Sequence, residues 1–486
     1  MSLRLHNTLT RAVEPVAPAS PDGIFRLYCC GPTVYGPAQI GNFRAFVAQD
    51  VLRRALEIEF GPGRVRHARN ITDVDDKTIR ESQARGQSLA DFTTGWTVKF
   101  RADCEALNLR PAHFEPSAVA HIPEQITLIE KLIAHGHAYR AGDGSVYFKV
   151  SSFARYGELS HLKLAELETQ NSNSAGQLNE ADEYSREHVA DFALWKARKP
   201  EDGPNFWPSP WGEGRTGWHI ECSAMIEKVF GGATIDLHGG GVDLMFPHHE
   251  NEIAQSCCAH DGDAGYTFVR HWFHNAHLLV DGRKMSKSLN NFYTLADIEK
   301  MGFAPVVLRY ALIAGHYRSP LNFTKHGLEA AHSAVHKLDK HLRALATRAA
   351  GDAAKAPELI VRLKKSAPEA LRWGRFAPAW AMLEDDLNVP GALGEIFKVE
   401  PKTATIEQAL EDLEGFIKIT GAALGLDLPL PEDKTVAPAE ITALAQARWE
   451  AKQAKNFAQA DTLRQQIEKL GWKVLDRKDG FGLEKL

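Results

Sequence analysis

Ile24-Phe25-Arg26-Leu27-Tyr28-Cys29-Cys30-Gly31-Pro32 is the stretch whose reading decides the fold. A short apolar run ends there in a Gly-Pro turn, and Ile40, Phe43, Phe46, Val47, Val51 and Leu52 then recur at helical spacing. The order reads strand, turn, helix. A second strand is expected over 64–71, ending in Thr72-Asp73-Val74-Asp75-Asp76-Lys77, and helical patterns fill much of the chain from there to about His135. Strands alternating with helices favour a parallel sheet with ligands at the carboxyl ends of its strands.

Residues 138–200 interrupt the alternation and read as an insertion. Asp143-Gly144, flanked by Tyr139 and Val146-Tyr147-Phe148, is a hairpin signal, and 170–187 is polar and irregular in pattern. Alternation resumes with a helix over 218–230, a strand over 234–238, a helix over 247–260 and a strand over 269–280. Beyond about residue 304 the pattern is helical throughout. Leu328, Ala331, Val335, Leu338, Leu342 and Leu345 form one apolar seam, with His332, His336, Lys337, Lys340, Arg343 and Arg348 off it. Residues 427–438, with three prolines, read as a linker before a small last unit beginning near Ala439.

A length of 486 residues bounds the chain at about three domains. With 44% hydrophobic and 24% charged residues it has the composition of an ordinary soluble protein. No run of roughly 18 apolar residues is present, and the start lacks the apolar core of a signal peptide, so a cytoplasmic location and no membrane partner are expected. A net charge of −5 means that a polyanion must be held by local basic surfaces. Six cysteines in so long a chain argue against a disulfide framework, and Cys104, Cys257 and Cys258 read as merely buried.

Four constellations carry chemistry. Lys284-Met285-Ser286-Lys287-Ser288, after an Asp281-Gly282 turn, sets two lysines on a small-residue loop suited to close over a triphosphate; a solvated basic loop is the bland alternative. His248 and Glu252 project from one helical face and can share a metal, whereas a zinc-protease HExxH fails because Ile253 stands where its second histidine belongs. Cys30 and Cys222 are candidate further ligands, and two thiolates, an imidazole and a carboxylate suit Zn²⁺; from spacing alone Cys29 competes with Cys30, and buried cysteines remain the alternative. The glycines of His238-Gly239-Gly240-Gly241-Val242-Asp243 permit close approach to a ligand, with Asp243 able to meet an amino group. Residues 70–77 read as a helix N-cap with a solvated acidic first turn.

At the carboxyl end, Ala460, Leu463, Ile467 and Leu470 make an apolar helical face. Lys452, Lys455, Arg464 and Lys469 lie near Trp449 and Trp472, and basic side chains with exposed aromatics suit RNA.

The stretches Tyr28-Cys29-Cys30-Gly31-Pro32-Thr33-Val34-Tyr35, Arg69-Asn70-Ile71-Thr72-Asp73, Gly217-Trp218-His219-Ile220-Glu221-Cys222-Ser223-Ala224-Met225, residues 238–256 and KMSKS resemble, over nearly the whole chain, the cysteinyl-tRNA synthetase family of class I aminoacyl-tRNA synthetases. The resemblance implies an α/β fold: a Rossmann-type parallel-sheet catalytic domain in two halves (1–115 and 205–303, the second carrying the KMSKS loop), split by a connective insertion (116–204). A tRNA-binding α-helical bundle (304–428) and a small anticodon-contacting C-terminal domain (439–486) would follow.

It further implies one zinc per chain on Cys30, Cys222, His248 and Glu252, joined by the thiolate of substrate cysteine, with a purely structural zinc as the competing reading. Thr72 and Trp218 would line the substrate pocket and Asp243 would hold the α-ammonium. ATP with Mg²⁺ would react through Lys287, assisted by Lys284, with Ser286, Gly41 and Asn42 in the nucleotide site. The family's HIGH motif stands here as Gln39-Ile40-Gly41-Asn42, so an amide donor replaces the first imidazole. Partners would be L-cysteine, ATP and tRNA(Cys) with anticodon GCA, and the chain would be a monomer.

Two other functions fit parts of the pattern. A ligase joining cysteine to a small amine, as in mycothiol synthesis, is opposed by 328–345 and 439–486. A non-catalytic RNA-binding paralogue, motivated by Gln39, is opposed by the intact KMSKS and the four ligand positions.

Overall fold

The computed structural model describes residues 2–162, 191–260, 266–285, 291–402, 405–429, 438–477 and 480–485. They divide into two units, Met1–Pro429 and Leu430–Leu486. In the first, β1 (Phe25–Cys29), β2 (Val65–Arg69), β3 (Ile235–Gly241) and β4 (Val269–Asn275) form one sheet in the order β4-β3-β1-β2, every neighbouring pair parallel. Leu27 pairs with His67 on one side and Leu237 on the other. Leu27, Tyr28, Leu237 and Phe273 are fully buried, as a parallel sheet covered on both faces requires.

Helix α1 (Ile40–Phe60) follows β1 and buries Ile40, Phe43, Val47, Val51 and Leu52. It stops at Gly61, whose φ of 94° suits glycine, with Pro62 next. After β1 the chain crosses to β2 on one flank, while β3 joins on the other. The crevice beyond the carboxyl ends of β1 and β3 is therefore the topological switch point, where open α/β sheets bind ligands.

The middle of α1 is anchored by charge. Burial works against ionising Asp50, but Arg54 Nε at 2.6 Å and Arg309 at 2.5 Å hold its carboxyl well below the ordinary range. Arg309, fully buried on the helix Pro305–Ile313, also donates to the carbonyls of Leu107 and Leu424.

The 138–200 region supplies three strands, Ala138–Arg140, Val146–Phe148 and Phe192–Ala197, of a separate antiparallel sheet whose fourth strand, Gly214–Thr216, lies beyond it. The expected hairpin closes with Tyr139 opposite Tyr147; residues 170–187 lie outside the described residues. Gly214–Thr216 leads into α2 (Trp218–Phe230), and α3 (Glu250–Ala259) follows β3.

Three local expectations are corrected. The helix expected over 247–260 begins at Glu250 after a π-type turn, Met245–His249, because Phe246 is extended (φ −136°, ψ 132°), as a residue preceding proline prefers. The strand expected over 269–280 is two: after Asn275 the Ala276 N–H donates to the Tyr317 carbonyl, and Leu278–Val280 joins a small sheet with Arg283–Lys284 and Leu321–Phe323. That last strand also interrupts the supposedly all-helical region, three residues being too short to register as a period. The long helix is present as Lys325–Ala350, with all six seam residues buried.

The second unit contains helices Ala439–Gln453 and Phe457–Lys469 and a hairpin, Trp472–Arg477 with Gly480–Lys485. Ile441, Ala445, Ile467 and Trp472 form its core. Trp472 is thus buried and not an exposed aromatic, and Leu470 is half exposed and off the apolar face. Lys452 is paired with Asp476. Residues 430–437 of the expected linker lie outside the described residues. Among those described, no helix is long and apolar enough to cross a membrane.

Candidate active site

Two glycine joints deliver the sulfur atoms. At the end of β1 the Cys30 N–H donates to the Gly239 carbonyl and the Gly31 N–H to Asn70 Oδ1 at 2.8 Å. A β-carbon on Gly31 would lie 1.7 Å from the Asn70 carbonyl oxygen, so β1 can turn against β2 only with glycine there. Gly217 plays the same part before α2: its N–H donates to the Leu194 carbonyl, and a β-carbon would lie 2.0 Å from the Ala193 oxygen. The insertion sheet is thereby joined tightly to the helix that carries Trp218 and Cys222.

The structure brings Cys30, Cys222, His248 and Glu252 together, all buried, with one donor atom of each within 4.8 Å of the others. The two sulfurs are 3.9 Å apart, against about 3.8 Å for two thiolates on a tetrahedral zinc. His248 Nε2 and Glu252 Oε1 are 3.1 Å apart, yet Oε1 lacks a hydrogen-bond donor, a buried gap that a cation would fill. Cys29 is the poorer candidate: it sits against Gly239, and burial pushes its thiol up to about 12. An overlapping set, Cys30, His238, His249 and Glu252, also converges.

Surrounding histidines orient these groups. His238 Nε2 lies 3.0 Å from Glu252 Oε2, and His219 Nδ1 lies 3.0 Å from His248 Nδ1, which leaves His248 Nε2 toward the donor cluster. His249 Nδ1 meets His274 Nε2 at 2.8 Å, and Thr8 Oγ1 meets the other nitrogen of that ring. A hydrogen bond from Cys30, against burial, lowers Cys222, while burial and then Cys222 raise Cys30. Although burial opposes both charges, Glu252 is held down to about 2 by His238 and His248, and His248 is raised to about 10 by Glu252.

The cluster lies at the floor of a cleft of about 540 Å³, and Cys30 is the one of its four residues that reaches the lining. Cys30 and Trp218 line it, the indole stacked on His248 with ring centres 4.3 Å apart. Asp243 is exposed on the same wall, just past β3. Thr72 is not on the surface of the cleft: its hydroxyl lies buried between Asn70 and Glu221, and Thr33, whose backbone pairs with it, is the threonine that lines the space.

At the other end α1 begins. The Gln39 N–H donates to Asn42 Oδ1 at 2.9 Å, and a β-carbon on Gly41 would come within 2.7 Å of Met285 Cε. Lys284 is exposed at the rim. Ser286, Lys287 and Ser288 lie outside the described residues. Asp75 caps the helix Asp76–Ala84, as expected for 70–77, but Asn70 has the further task of holding Gly31, and Asp76 is paired with Arg215 and Lys196. Sequence reasoning passed over Asn70, His219, His238 and His274 as site residues; a cluster of histidines around two cysteine-bearing motifs was the only available signal.

A family model described as tRNA synthetases class I (C) catalytic domain matches residues 17–333. The Cysteine--tRNA ligase of Opitutus terrae is 54% identical over 485 residues, covering 100% of this chain and 99% of that protein. That of Protochlamydia amoebophila is 40% identical over 491 residues, covering 99% and 98%. Among solved structures, Mycobacterium tuberculosis methionyl-tRNA synthetase in complex with methionyl-adenylate superposes with a TM-score of 0.53 over 82% of this chain and 89% of that one, at 14% identity, a likeness of fold alone.

Proposed function

The chain belongs to the cysteine–tRNA ligase family of class I tRNA synthetases, and on that premise we propose how its residues divide the reaction. The chain activates L-cysteine with ATP and Mg²⁺ and charges tRNA(Cys). A cysteine carboxylate oxygen attacks the α-phosphorus, the bond to the β-phosphate breaks, and pyrophosphate leaves with the electron pair. A hydroxyl of the terminal adenosine of tRNA then attacks the carbonyl carbon and AMP departs. The full-length match to ligases of this kind disfavours both the small-amine ligase and the non-catalytic paralogue.

Cys30, Cys222, His248 and Glu252 hold one zinc per chain in this reading, with His219 and His238 fixing the ligand rings and carboxylate. Bound zinc would offer a ligand position to the substrate thiolate and reject serine, whose hydroxyl ionises far less readily and is a harder ligand, without an editing site. Two features favour this over a purely structural metal: Cys30 and Trp218 line the cleft itself. Trp218 forms the wall of the cysteine pocket, Asp243 accepts from the α-ammonium, and Thr72 supports Thr33 from behind through their backbone pairing.

For ATP, the amides of Gln39 and Asn42 donate to phosphate, Gly41 lets the base approach, and Lys287 with Lys284 and Ser286 stabilises charge on the departing pyrophosphate. No residue forms a covalent bond. The domain bounds given above, a monomeric state and a cytoplasmic site of action belong to the same proposal.

The observation that carries this reading is the convergence of four metal donors on the floor of a cleft whose far end is formed by Gly41 and Met285. The test is aminoacylation of purified tRNA with cysteine against serine, with zinc quantified in the same sample. Cysteine charging that scales with zinc content, and no serine charging, is expected; full cysteine charging by metal-free protein would sink the selection mechanism.

A further inference from the structure

One cation in the cleft has no task in the scheme above. Lys77, the second residue of the helix Asp76–Ala84, lines the same cleft as Gln39, Asn42 and Lys284. It is half-buried, and its ammonium lies 5.4 Å from the centre of the Tyr35 ring. The carboxylates beside it are engaged elsewhere. Asp75 accepts from the Thr78 N–H at 2.6 Å, and Asp76 pairs with Lys196 at 3.0 Å and with Arg215. Among the described residues no carboxylate forms an ion pair with Lys77.

The charge inventory of the cleft sharpens the point. Of the described residues lining it, only Lys77 and Lys284 carry a fixed positive charge, and Asp243 is the only acid. Tyr35 stands four residues before Gln39 in the loop that leads into α1, so the ring under Lys77 and the ATP motif share one short segment. Gln39 can donate through its amide but carries no charge. A partly desolvated ammonium set over a ring, with the neighbouring Asp75 carboxylate already committed to its helix cap, gains more from an incoming anion than a hydrated one does.

We propose that Lys77 is a further phosphate-binding residue for ATP in this chain, supplying charge that the glutamine at position 39 does not. The inference rests on the cysteine-activating reading of the cleft. Its ammonium donates to a phosphate oxygen of bound ATP and stays with the pyrophosphate as negative charge accumulates there.

The test compares wild type with Lys77→Met and Lys77→Arg in ATP–pyrophosphate exchange without tRNA, and measures binding of a non-hydrolysable ATP analogue by calorimetry. Lys77→Met should lower kcat/KM for ATP by about ten- to hundredfold, the range for losing one hydrogen bond to a charged group, with KM for cysteine unchanged. It should weaken analogue binding, while Lys77→Arg recovers most of both. In a Gln39→His background, at a pH where imidazolium is populated, the loss should shrink. Unchanged exchange and binding in Lys77→Met would overturn the proposal, as would a loss confined to transfer onto tRNA, a failure of arginine to rescue, or an undiminished loss in the Gln39→His background. Absence of exchange in the wild type would count against the activity itself, and the calorimetric comparison would still decide the role of Lys77.

Discussion

The two ends of the cleft are built on opposite principles. At the floor, Cys30, Cys222, His248 and Glu252 are buried, with only Cys30 reaching the cleft, and each rests on elements fixed by a glycine joint or by a histidine partner. At the mouth, Asn42 and Lys284 are exposed and Gln39 is half-buried; backbone pairing of Gln39 with Thr294 and of Lys284 with Leu279 holds the main chain, while their side chains reach toward solvent. In the proposed reading the floor distinguishes cysteine from serine, which differ in one atom, and a geometry that exists before substrate arrives suits that task. In the same reading the mouth takes a phosphate chain whose charge changes during reaction, and long side chains that adjust suit that purpose.

Breaking the floor should have the largest effect. Cys222→Ser is expected to empty the zinc site, seen as metal content falling from one per chain toward zero, and to reduce cysteine activation by well over a hundredfold, beyond the cost of losing an outer-shell partner. Retained metal and activity would mean that the overlapping set with His238 and His249 is the true one.

Next comes the anchor beneath the mouth. Asp50→Asn leaves Arg54 and Arg309 buried without their counter-charge, a change that costs on the order of 3–5 kcal/mol. The folded pKa of Asp50 lies below its unfolded value of about 3.9, so its contribution is complete above that value and is lost as pH falls through the folded one. Urea midpoints should therefore decline more steeply below about pH 4 in wild type than in Asp50→Asn; parallel declines would remove Asp50 from the acid response.

Lys287→Ala should slow ATP–pyrophosphate exchange by about 10²–10³, the usual cost of removing one donor from a charge-stabilising set. An active Lys287→Ala protein would contradict the assignment of the loop. The smallest effect is expected at Gln39, whose neutral amide is worth roughly a factor of ten or less in exchange. No loss in Gln39→Ala would take it out of the mechanism, and a gain in Gln39→His would measure what the missing imidazole contributes.

The parallel sheet was legible because its evidence is local: an apolar run, a Gly-Pro turn and a helical period all fall within residues 24–52. The donor cluster was only partly legible by spacing: His248 and Glu252 stand four apart, but residues 30 and 222 join them only through the fold, so spacing left Cys29 competing with Cys30 and the resemblance singled out the set. The roles of His219 and His238 are relations between rings, invisible until the partners' positions are known. The break after Asn275 was hidden because Leu278–Val280 continues the apolar run while the Ala276 N–H turns to Tyr317. Trp472 misled for a related reason: beside lysines it reads as a surface aromatic, but pairing with Lys485 in the hairpin brings it to Ile441 and Ile467.

The tight joint at Gly217 has a meaning in time as well as in space. Cys30 and Cys222 are 192 residues apart in the chain, and the helix carrying the second is registered by a sheet that includes the strand Phe192–Ala197. The sulfur pair therefore completes late in folding, since loop-closure entropy is spent before so distant a contact can return anything. On the proposed reading, a zinc ion that binds only the finished pair would stabilise the folded chain by mass action, and zinc supply would then set how much of the newly made protein remains folded.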